Sequence, residues 1–141
     1  NSPLAAEVDA AHQLQPAMTL QSEIIAIREL RPGESVGYGA RWIAQRPSTI
    51  GTVAIGYADG YPRHAPSGTP TSVNERIAPL VGSVSMDSLA VDLTGHNSVS
   101  VGDRVELWGE RIAVNDVAAA AGTIGYELLT GVSNRVPRIY A

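Results

Sequence analysis

Tyrosines stand directly behind glycines in three motifs, with Tyr38 in GYGARW, Tyr57 in AIGYADGYP and Tyr126 in TIGYELL. A phenol carries protons when a nearby cation draws its pKa down from about 10, each pH unit being worth about 1.4 kcal/mol. Tyr38 has glycine on both sides, Gly37 and Gly39. That removes side-chain bulk and lets another molecule approach the ring closely. The same pattern suits a strand end, where glycines permit a bulge and the tyrosine packs as half-buried surface. Ser85-Met86-Asp87-Ser88 lies between two apolar runs. A turn there would offer backbone N–H groups to an anion, and a plain β-turn with Asp87 as its polar residue fits equally.

What the chain lacks narrows the chemistry further. All ten basic residues are arginine, so no side-chain amine is present to hold an aldehyde cofactor covalently. No cysteine occurs among the 141 residues, which excludes disulfides, thiolate metal sites and cysteine nucleophiles and accords with a cytoplasmic location. Asp59, His64 and Asp92 are at spacings that match no metal-ligand pattern, and no metal is expected. Without lysine the phosphate-cradling GxxxxGK[ST] loop is impossible. A net charge of −4 with no basic block argues against nucleic acid as a partner. No apolar run reaches the roughly 20 residues that a membrane helix needs.

These residues must be held by a set of short elements. Residues 1–15, NSPLAAEVDAAHQLQ, are alanine-rich and without apolar period, and are expected to be a truncated linker from an upstream domain. The remaining residues, 16–141, are expected to form one domain. MTLQSEIIAIREL, STIGTVAIG, RIAPLVGSV, SLAVDL and RVELWGE have the texture of strands. RPGE, YPRHAPSGTP and TGHNSVSVGD supply turns and loops between them. Asn115 to Gly122 reads as a helix capped by Asn115 or Asp116 and ended by Gly122, and Thr123 to Leu129 as a second helical turn capped by Thr123. RVPRIY reads as a closing edge strand. The expected architecture is mainly β, a barrel-like or sandwich domain with one or two short helices near the C-terminus.

In order, PAMTLQSEIIAIREL, GYGARW, TVAIGYADGYPRHAPSG, VGSVSMDSLAVDL, VGDRVELWG and NDVAAAAGTIGYELLTGVSNRVPRIY resemble the C-terminal domain of alanine racemase, a pyridoxal-phosphate enzyme. The resemblance runs from about Pro16 to Tyr140. It implies an upstream (β/α)₈ barrel, whose lysine binds pyridoxal 5'-phosphate and serves as one of two acid/base groups that interconvert L-alanine and D-alanine. By the same resemblance Tyr38 is the second group, acting in the active site of the opposite subunit of a head-to-tail homodimer. Met86 then corresponds to the residue whose backbone N–H meets the substrate carboxylate, Asp87 to its neighbour in the site, and Tyr57 to a phenol lining substrate entry. Tyr126 corresponds to a phenol near the cofactor phosphate of its own subunit.

Two departures from the family pattern stand out. Ser83 occupies a place where Arg or Lys is usual before the SMD turn, and Trp42 one where tyrosine is common. On this reading the fragment alone is inactive. Three other readings compete: a non-catalytic β-barrel binding module, a racemase of broader specificity, and a related pyridoxal-phosphate decarboxylase. The last typically uses a cysteine that this chain does not have.

Overall fold

The computed structural model describes residues 18–37, 39 and 41–139. Strand β1 (Leu20–Leu30) is followed by a two-residue pair β2 (Ser35–Val36) and β3 (Trp42–Ile43), and then by β4 (Ser48–Val53). A 3-10 turn at Tyr57–Asp59 leads to β5 (Pro70–Val73), β6 (Arg76–Val81), β7 (Leu89–Asp92) and β8 (Arg104–Trp108). Two helices end the described chain, α1 (Val114–Ala121) and α2 (Gly125–Thr130).

Six strands close into a barrel in the order β1-β4-β7-β6-β5-β8, with β2 and β3 forming a small separate sheet. The length of β1 is what permits closure. Its first half pairs antiparallel with β8, Leu20 opposite Trp108 and Glu23 opposite Arg104, and its second half pairs with β4, Arg28 opposite Ile50. A register break between Ile24 and Ala26 turns the strand from one neighbour to the other, as bulges do in curved sheets.

Alternation explains β7, where Leu89 and Val91 are buried while Ala90 and Asp92 are partly exposed. In β4 Gly51 is part of the strand. A Cβ on Gly51 would sit 2.7 Å from Leu93 Cδ1 and 3.0 Å from Ile24 Cδ1, so neighbouring side chains fill the space it leaves. The main core joins the first half of β1 to β4 through β8 and takes in Val117, Ala118 and Leu128 from the helices. Tyr61 stacks on Trp108 inside it, ring centroids 6.1 Å apart. Tyr61 therefore shares the glycine-tyrosine signature of Tyr57 but belongs to the interior.

The mainly β expectation holds, and three local expectations do not. Helix α1 starts one residue before Asn115, with Ala113 at its N-cap and no side-chain cap. Helix α2 is capped by Ile124 rather than Thr123. Packing fixes both starts: Val117, Ala118 and Leu128 must reach the barrel, and Asn115 Oδ1 lies where a Cβ of Gly125 would be. Gly122 does end α1 in the left-handed conformation, φ 77°. The described part of RVPRIY, residues 135–139, forms no strand. Pro137 has no N–H for a ladder, and the Arg138 guanidinium takes up the carbonyls of Val132, Ser133 and Val136 at 2.9–3.0 Å. Tyr140 lies outside the described residues.

Candidate functional site

Three segments distant in sequence meet at one place on the barrel. The first is the turn that holds Tyr57, between Gly56 and Gly60. Its consecutive amides donate to the second segment, Tyr57 N–H to the Ser85 carbonyl at 3.0 Å and Ala58 N–H to the Met86 carbonyl at 2.9 Å. Gly56 is required by that docking, because a Cβ there would lie 2.2 Å from the Ser85 oxygen and 2.5 Å from the Met86 oxygen. The third segment follows α2, where Ser133 N–H donates to the Asp59 carbonyl at 3.0 Å. Gly60, at φ 107°, passes so close that a Cβ would be 2.5 Å from the Gly131 oxygen.

The direction of the remaining amides follows from the geometry of the peptide. In a trans peptide the carbonyl of one residue and the N–H of the next point opposite ways. Since the Ser85 and Met86 carbonyls both face the Tyr57 turn, the N–H groups of Met86 and Asp87 face away from it. Among the described residues neither N–H has an acceptor. Two adjacent donors of this kind can cradle an anion. The Ser85 N–H is not available for this, being spent on the Ser88 carbonyl at 2.9 Å.

Charge is organised around the same turn. The Arg135 guanidinium reaches Asp59 through Nε at 3.1 Å and Asp87 through Nη2 at 2.7 Å. Its pKa is raised, first by the hydrogen bond to Asp87 and then by the Asp59 charge. Asp59 uses its other oxygen to accept the Gly56 N–H at 2.9 Å. Arg63 lies over the ring of Tyr57, 5.3 Å from its centroid. No local signal in RVPRIY marks Arg135, because its partners lie 48 and 76 residues upstream.

Tyr38 lies outside the described residues; Val36, Gly37, Gly39 and Arg41 near it in the chain are described. Gly37 and Val36 line a depression of about 210 Å³ together with Ser83, Ser85 and Ser88. Arg41, on the other side of position 38, lines a second depression of about 270 Å³ with Arg63, His64 and Ser83. Both glycines that flank position 38 have positive φ, 77° at Gly37 and 82° at Gly39. Val36 and Gly37 thus lie beside the turn that carries Met86. Gly33 to Gly37 also has the G-x-S-x-G spacing of a nucleophile elbow, but Ser35 sits in the two-residue strand β2 and not in a strand-to-helix turn.

Tyr57, Met86 and Asp87 are therefore brought together, with Met86 and Asp87 well exposed. Tyr126 is not part of that cluster. It stands on α2 with 74 % of its surface exposed, and among the described residues no hydrogen bond or ring contact joins it to the other three. Asp59, His64 and Asp92 do not converge: Asp59 is bound to Arg135, and Asp92 accepts the Thr94 N–H. No group of three metal-ligating side chains occurs among the described residues. Nor is any described helix long and apolar enough to cross a membrane.

Comparison with known proteins gives one answer. The family model described as alanine racemase, C-terminal domain, matches residues 17–140. An alanine racemase from Stutzerimonas stutzeri is 60% identical over 127 residues, which cover 90% of this chain and 36% of that protein. The biosynthetic alanine racemase of Pseudomonas aeruginosa is 57% identical over 141 residues, 100% of this chain and 39% of that protein. The crystal structure of biosynthetic alanine racemase from P. aeruginosa superposes with a TM-score of 0.90 at 59% identity, covering 94% of this chain and 37% of that one. The chain thus spans somewhat over a third of the length of the curated relatives it matches.

Proposed function

The chain belongs to the alanine racemase C-terminal domain family, and from that premise we propose that it supplies one half of a composite site interconverting L-alanine and D-alanine. The observation that carries the reading is the outward pair of amides at Met86 and Asp87, in a turn beside Val36 and Gly37. That pair binds the substrate carboxylate. Tyr57, held under Arg63, lines the approach.

Racemisation removes the Cα proton from one face and returns a proton to the other, so it needs an acid/base group on each side. Tyr38 moves the proton at its phenolic oxygen on one face. The opposite group is a lysine, which this chain does not contain and an upstream barrel must supply. Pyridoxal 5'-phosphate, when bound, supplies the electron withdrawal that makes the Cα proton removable. The residues present fit a contributory role toward that group. They offer no amine to anchor it, and the exposed phenol of Tyr126 is free to donate to its phosphate.

In this account Tyr38, Tyr57, Met86 and Asp87 serve the site of the partner subunit in a head-to-tail homodimer, and Tyr126 that of its own subunit. The separation of Tyr126 from the turn cluster supports the division. The domain by itself is inactive, and the enzyme works in the cytoplasm.

The test is α-deuterium exchange from D₂O into L- and D-alanine by the full-length enzyme, unmodified and as Tyr38→Phe. Exchange from one enantiomer should fall on the order of 10²–10⁴-fold while the other persists. Persistence of both at the unmodified rate would make the phenol structural and remove Tyr38 from the mechanism.

A further inference from the structure

The depression beside Arg41, Arg63 and His64 belongs to the approach already described. The exposed apolar residues Ile77 and Val101 have nothing on them to show what covers them. The unpartnered Tyr61 hydroxyl and Trp108 Nε1 are sealed in the core. Arg135 carries the argument further than any of these.

The Met86–Asp87 turn is fixed from below by two backbone hydrogen bonds. Above it, the Asp87 side chain is 67% exposed and would be free to swing if nothing held it. Arg135 holds it. A continuous set of bonds runs from the Gly56 N–H to Asp59, from Asp59 to Arg135, and from Arg135 to Asp87. Arg135 is itself held from behind, since its own N–H donates to Ser133 Oγ at 3.3 Å and the Ser133 N–H donates to the Asp59 carbonyl. Only a planar fork with separated donors reaches two carboxylates at once, and an ammonium group does not span them.

We propose that Arg135 is a positioning residue, bridging Asp59 and Asp87 so that the Met86 and Asp87 amides are set for a carboxylate before it arrives. This rests on the reading of those amides as the carboxylate site. Two effects combine. The bridge fixes the direction of the donors, so no ordering is needed on binding. It also neutralises Asp87, whose charge would otherwise repel an incoming anion beside the same two N–H groups. Without Arg135, Asp59 and Asp87 leave two uncompensated negative charges at the mouth of the cradle.

The two effects predict a loss selective for carboxylates. In the full-length holoenzyme, Arg135→Gln should weaken inhibition by propionate on the order of tenfold or more and raise the alanine KM in parallel. The kcat should stay within about threefold. Binding of ethylamine, which is alanine without its carboxylate, should not change. Salt should narrow the propionate difference, since exposed charges are screened. Arg135→Lys, reaching one carboxylate at a time, should fall between, and it makes the same comparison if the glutamine variant does not fold.

Equal propionate inhibition in both proteins would overturn the proposal. So would a loss for ethylamine as large as that for propionate, which is the mark of a general folding role. An unmodified enzyme that racemises alanine alongside an unaffected Arg135→Gln variant refutes this inference alone. An unmodified enzyme that neither racemises alanine nor binds propionate removes the underlying reading, and the inference with it.

Discussion

Substituting Gly56 by alanine tests the docking of the two turns most directly. Gly56 has φ −147° and ψ −164°, an extended conformation open to alanine, so the penalty is steric and not conformational. The added methyl would lie 2.2 Å from the Ser85 oxygen and 2.5 Å from the Met86 oxygen, where close carbon-oxygen contacts are about 3.3 Å or more. The turns must part by about 1 Å to restore that distance. Such a shift stretches the hydrogen bonds from Tyr57 and Ala58, now 3.0 and 2.9 Å, beyond useful length. Two lost backbone bonds at about 1 kcal/mol each give about 2 kcal/mol of local destabilisation. Amide hydrogen exchange at Tyr57 and Ala58 in the full-length enzyme reads this directly, as a loss of protection of about 30-fold. The alanine KM should rise as well, because the Met86 and Asp87 amides move with the turn. Native protection at both amides together with an unchanged KM would refute the reasoning, since it would mean the turns are not held by these bonds.

Two other expectations concern the interior. Burial pushes the Tyr61 phenol well above its ordinary pKa, because a phenolate has no water or partner in the core. The folded state then keeps the proton that the unfolded chain gives up above about pH 10. Its contribution is complete below that pH, and stability should fall by about 1.4 kcal/mol per pH unit above it. Tyr61→Phe should flatten that part of the pH-stability curve and leave neutral stability unchanged or slightly higher; an identical alkaline slope in both proteins would contradict this. Glu106 is buried, and its Oε2 accepts the N–H groups of Arg111 and Ile112 at 2.7 and 2.8 Å. Glu106→Ala should cost about 2–4 kcal/mol in denaturant unfolding, and Glu106→Gln clearly less, since an amide oxygen still accepts; equal costs would show that the charge matters and the acceptor does not.

Much of the barrel was legible because its strands carry their own evidence, as in LAVD, whose alternation matches its burial. The helix starts were not. Asn115, Asp116 and Thr123 are good caps by type, but the contacts of Val117, Ala118 and Leu128 with the barrel decide where each helix begins. The C-terminal misreading has a similar cause: Arg138 satisfies carbonyls that a strand would have given to a neighbour. At the site, sequence reading found the motifs one by one and could not see them meet. Residues 56–60, 85–87 and 131–135 are joined only by barrel topology. The tyrosines show the limit of local signals, for Tyr57 and Tyr61 both follow glycine four residues apart, and one is at the surface while the other is in the core.

The long first strand also sets a timetable for assembly. A ribosome delivers β1 about eighty residues ahead of its partner β8, so the barrel cannot close until Trp108 is made. Residues 131–135 appear later still, and they carry the arginine that joins Asp59 to Asp87. Within this stretch a nascent chain therefore completes its barrel before it can form the Asp59–Arg135–Asp87 bridge.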